Sequence, residues 1–92
     1  MRVVNKKLLE FYRTMPCIAC RKTDGVVAHH IKTRGAGGSD VMENLMPVCP
    51  EHHHSIHASG LNKFVEKYNL YKWMTDYGWQ KCELTNRWFR NE

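Results

Sequence analysis

The 92-residue sequence has no apolar run approaching the ~20 residues of a membrane span. Its opening stretch, MRVVNKKLLEF, sets charges among its apolar residues and holds no apolar segment of the length a secretory signal needs. Repeats, low-complexity segments and interdomain linkers are also missing, so the length predicts a single domain over residues 1–92. There are only four cysteines. Without a signal sequence they predict a reducing, intracellular (cytoplasmic) setting, where closely spaced cysteines bind metal more often than they form disulfides. A core of this size gives marginal stability, which a structural metal would supplement.

Fourteen Lys and Arg against nine Asp and Glu leave a formal charge of +5. A basic balance in a small domain points to a polyanionic partner, most simply nucleic acid. The histidines are more informative, because all six lie between positions 29 and 57.

The element pattern is mixed. Residues 4–15, VNKKLLEFYRTM, read as a short helix that Pro16 ends, and CIAC follows as a turn. GVVAHHI (25–31) reads as a strand, and KTRGAGGSD as an open loop whose Gly35, Gly37 and Gly38 permit its geometry. NLMPVC reads as a second strand, with Pro47 suited to a sheet edge. A helix then starts with Cys49 at the N-cap and Pro50 at its first position, and stops at Gly60. Residues 61–75 show helical spacing at Leu61, Phe64, Val65 and Tyr68. Beyond the DYG break, 79–90 read as a last helix or an irregular aromatic tail. The expected class is α+β, a two-strand-and-helix core with flanking helices.

Two metal sites are legible in one histidine run. Cys17 and Cys20 form C-x2-C, and Cys49 with His52 forms C-x2-H. Two such half-sites close a tetrahedral Cys3His structural zinc site with no open position. Cys82 has no partner pair and reads as a buried or free thiol, with a substitute fourth zinc ligand as the alternative. His53 and His57, four residues apart, project from one helix face. His52 points ~100° away from His53, towards a different metal, and His54 a further ~100° round, where it joins neither pair. In AHHIK, adjacent strand residues face opposite sides, so one of His29 and His30 can bind a metal while the other addresses something beside it.

The stretch AHHIKTRGAGGSDVMENLMPVCPEHHHSIH resembles the HNH nuclease motif, the ββα-metal fold. The resemblance covers residues 28–57, extends to 17–57 with CIAC, and leaves the helical and aromatic extension at 61–92 uncovered. It is similar to the zinc-knuckle branch of small phage and bacterial proteins, which implies a bacterial cell or a phage-infected host. Carried over by residue, it implies that His29, His53 and His57 hold one divalent catalytic ion, Mg, Mn, Ni or Zn. It makes His30 the general base, and Asn44 the residue that fixes the loop and orients His30. His52, which stands where many zinc-containing relatives have cysteine, then joins Cys17, Cys20 and Cys49 around the structural zinc.

The implied activity is hydrolysis of DNA phosphodiester bonds to 5′-phosphate and 3′-hydroxyl ends, with the ion stabilising the transition state and the leaving 3′ oxygen. Histidine titrates nearest neutral pH, which suits it to take a proton from water. Lys32 and Arg34 are candidate DNA phosphate contacts. Lys63, Lys67, Lys72, Arg87 and Arg90, with Tyr71, Trp73, Trp79 and Trp88, would extend a DNA-binding face. The competing reading is a noncatalytic, zinc-stabilised nucleic-acid-binding module, which would need no base at His30. A thiol redox protein built on Cys17 and Cys20 would leave Cys49, His52 and the other histidines unexplained. No membrane partner is expected.

Overall fold

A computed structural model describes residues 2–90 and has the expected mixed α+β class. Helix α1 (Lys6–Tyr12) is followed by the CIAC turn and strand β1 (Val27–His30). A long loop with two short 3-10 turns (Arg34–Ala36 and Met42–Asn44) leads to β2 (Leu45–Val48) and helix α2 (Pro50–Ser59). Then come α3 (Leu61–Lys67), α4 (Tyr71–Asp76) and the strands β3 (Trp79–Cys82) and β4 (Arg87–Arg90).

β1 and β2 pair antiparallel, with His29 opposite Met46 and His30 opposite Leu45. Pro47 has no N–H to give, and its carbonyl is used on the outer edge, where the Ile18 amide donates to it at 2.9 Å. That bond fastens the CIAC turn to the free side of β2, so the edge is covered. α2 packs across both strands. Met46, Val48, Ile56, Phe64, Val65, Met74 and Trp79 form a core continuous from this unit into the C-terminal segment.

α2 runs as its punctuation predicts, with Cys49 at the N-cap, Pro50 at the first position and Gly60 at φ 90° after its last turn. Three other elements differ from expectation. α1 is shorter than 4–15, because Asn5 caps it by accepting from the Leu8 amide at 3.0 Å and the helix ends at Tyr12. The stretch 61–75 is two helices, broken where Asn69 takes a left-handed φ of 55°. Residues 79–90 are neither helix nor irregular tail. They form an antiparallel hairpin that pairs Trp79 with Arg90 and Cys82 with Arg87. Its turn contains no glycine; Asn86, at φ 59°, supplies the left-handed residue, and its amide donates to Cys82 O at 2.7 Å. No helix among the described residues is long and apolar enough to cross a membrane.

Candidate metal centre and nuclease site

Two ligand clusters meet on α2. The first gathers Cys17, Cys20, Cys49 and His52, whose ligand atoms all lie within 4.8 Å of one another. Cys20 and Cys49 Sγ are 3.8 Å apart, which matches the ~3.8 Å edge of a tetrahedron with ~2.3 Å zinc–sulfur bonds. His52 Nδ1 lies 3.1 Å from Cys49 Sγ and 3.7 Å from Cys17 Sγ. Burial raises the Cys17 thiol, but backbone hydrogen bonds from Cys49, Cys20 and Ala19 more than reverse this and favour the thiolate. The donor set is soft, closed and enclosed, and it fits a structural zinc knuckle. The other ring nitrogen, His52 Nε2, is 3.0 Å from Tyr68 Oη. That outer contact turns Nδ1 towards the sulfurs, and it comes from the C-terminal segment.

The second cluster gathers His29, His53 and His57. Ring centroids are 5.3 Å apart for His29–His53, 5.5 Å for His29–His57 and 4.6 Å for His53–His57. The Nε2 atoms of His53 and His57 approach to 3.1 Å, near the ~3.4 Å edge expected for two imidazoles on one ion. Burial, and then the neighbouring imidazoles His53, His57 and His30, push His29 down to about 4. His53 is lowered by burial and by His57. Both are therefore held in the neutral form a metal requires. These residues fit a divalent ion with open positions, because they line an open cavity of about 450 Å³ rather than a sealed pocket. His54 is exposed and belongs to neither cluster.

His30 lines the same cavity, as does Arg34. Lys32 instead lines a separate cavity with Ile31, Trp79, Trp88, Phe89 and Arg90. Trp79 is 5% exposed and donates its indole N–H to Glu43 O at 2.7 Å, so it anchors the hairpin under the loop. Asn44, 6% exposed, ties the loop ends together. Its Oδ1 accepts from the Lys32 amide at 2.7 Å, and its Nδ2 donates to the carbonyls of Lys32 and Ser39, each at 3.0 Å. Gly38 is required by this closure, since a Cβ there would fall 1.7 Å from Lys32 O. Gly35, by contrast, faces open space.

Asn44 makes no direct hydrogen bond to His30 among the described residues. His30 Nε2 is held instead by Asp40 Oδ1 at 2.7 Å, and Asp40 is 1% exposed. Asp40, Arg2, Asn5 and Tyr68 are site-supporting residues that the sequence reading missed. A buried acid near a loop–strand junction carries no periodic signal, and its supports Arg2 and Asn5 lie more than thirty positions upstream.

Comparison with known proteins gives one finding. Residues 17–59 match the family model described as HNH endonuclease, which spans both clusters and the loop between the strands. No curated protein and no solved structure matches the chain.

Proposed function

We propose that the HNH endonuclease segment of this chain hydrolyses DNA phosphodiester bonds, with His30 as general base and Asn44 holding the loop that carries it. The carrying observation is the cluster of three imidazoles, His29, His53 and His57, beside His30 in one open cavity. His29, His53 and His57 would hold a divalent ion, which when bound supplies Lewis-acid stabilisation of the scissile phosphate and of the departing 3′ oxygen. His30 takes a proton from water as the water oxygen attacks phosphorus. The P–O3′ bond breaks, leaving a 5′-phosphate and a 3′-hydroxyl whose proton comes from solvent. Arg34, at the wall of this cavity, would bind a non-bridging phosphate oxygen, and Lys32, lining the separate cavity, would contact the strand further along. The Cys3His knuckle keeps α2 against the CIAC turn and fixes the direction in which His53 and His57 face.

The test is plasmid cleavage with added Mg, Mn, Ni or Zn, with EDTA controls, by wild type and His30→Ala. The expected outcome is nicking by wild type and a loss of roughly 10²–10⁴-fold in the variant at unchanged zinc content. A wild type that binds plasmid but cuts it with none of these ions would support the noncatalytic binding module instead.

A further inference from the structure

His30, at the wall of the cavity, is held from behind by a buried carboxylate. Asp40 is fully buried, and each of its oxygens is engaged. Oδ1 accepts from His30 Nε2 at 2.7 Å and from Arg2 Nη2 at 3.3 Å, and Oδ2 accepts from the Asn5 amide at 2.9 Å. The segment around Arg2 is itself laced to the loop. Arg2 Nε donates to Gly38 O at 2.6 Å, the Val3 amide donates to Ser39 Oγ at 2.8 Å, and the Asp40 amide donates to Val3 O at 2.7 Å. Burial alone would raise the Asp40 carboxyl, but the His30 hydrogen bond, the Asn5 amide and the Arg2 charge hold it below its ordinary value. An ionised carboxylate only accepts, so the hydrogen between the two side chains sits on His30 Nε2.

The geometry points to Asp40 as the positioning residue of His30. It fixes the imidazole as the Nε2–H tautomer with Nδ1 as the proton-accepting atom, and residues 2–5 form a strap that holds Asp40 in place. This rests on His30 being the base. A base whose ring can rotate, or whose accepting nitrogen carries the proton, spends less time in the productive state. The strap explains why a charge sits in the wall of so small a core: Arg2 and the Asn5 amide satisfy the carboxylate where water does not reach.

Two variants and two readouts test it. Asp40→Ala removes the acceptor. Asp40→Asn keeps the shape but puts an NH2 group where either His30 or the Asn5 amide donates, so one of those contacts fails. In zinc-loaded protein both are expected to lower kcat for plasmid cleavage by roughly 10²-fold with KM for DNA within about twofold. Combined with His30→Ala, either should add little further loss, because residues acting as a unit are not additive. Nitrogen-15 NMR of the His30 ring reports the tautomer without any turnover: Nε2–H in wild type, and mixed or Nδ1–H in Asp40→Asn. Wild type protonated at Nδ1, an Asp40→Asn protein with unchanged kcat, or a full extra loss on top of His30→Ala would each overturn the assignment. If wild type cuts no DNA at all, the proposed nuclease activity fails while the tautomer measurement still decides the role of Asp40.

Discussion

The two ligand clusters share the ten-residue helix α2, yet they are built to opposite specifications. The Cys17–Cys20–Cys49–His52 set is closed. Cys17 and Cys49 are 0% and 2% exposed, the donors are mostly sulfur, and Tyr68 covers the back of His52. The His29–His53–His57 set is open: His29 is buried, His57 is exposed, and a cavity of about 450 Å³ lies in front of it. Four donors around one point leave no room for chemistry and suit a structural role, whereas three imidazoles facing a cleft would leave positions open for substrate. A single residue step separates the two clusters, because His52 and His53 differ by ~100° around the helix axis.

That contrast is open to being broken from either side. The largest effect is expected at the closed set. Cys49→Ser should abolish tight zinc binding and remove most of the folding free energy, since the knuckle joins the CIAC turn, β2 and α2. Metal counting and thermal unfolding would report it together, and a variant that still melts like wild type would remove the knuckle's structural role. Acid should act next, through the open set. His29 is held at about 4 while an unfolded chain titrates near 6.5. Above pH 6.5 the group contributes no pH dependence. As pH falls from there towards 4, the unfolded state takes a proton that the native state refuses, and stability drops by up to ~3 kcal/mol. Urea unfolding at pH 7 and pH 5 would show it, with a smaller difference in His29→Asn. The smallest effect belongs to the outer contact of the knuckle. Tyr68→Phe should cost about 1 kcal/mol and weaken zinc retention against a chelator roughly 10-fold, with cleavage unchanged.

The core of this arrangement was readable in the sequence because its signals are local. C-x2-C, C-x2-H and H-x3-H are each set by one turn of backbone, and the Cys49–Pro50 start and Gly60 stop of α2 are punctuation with a physical cause. What escaped was either non-local or disguised. The break after α3 and the turn of the C-terminal hairpin are made by Asn69 and Asn86 in left-handed conformations that glycine would have advertised. An aromatic-rich stretch at 79–90 without a glycine turn gives no clean period, and pairing across Asn86 decided it as strand. Asn44, expected to fix the loop and orient His30, closes the loop through the Lys32 backbone, and Asp40, supported from residues 2–5, makes the direct contact to His30. Trp79, offered as part of a DNA-binding face, spends its indole on Glu43 and the core.

The central claim is that α2 carries one metal for the fold and another for the chemistry, and His53→Ala separates them most directly. Zinc content, thermal stability and plasmid cleavage should be measured on one preparation of the variant and of wild type. The account predicts one tightly held zinc and a near-wild-type melting temperature in both, with cleavage lost only in the variant. Wild-type cleavage by His53→Ala, or loss of the tightly held zinc together with the fold, would contradict it.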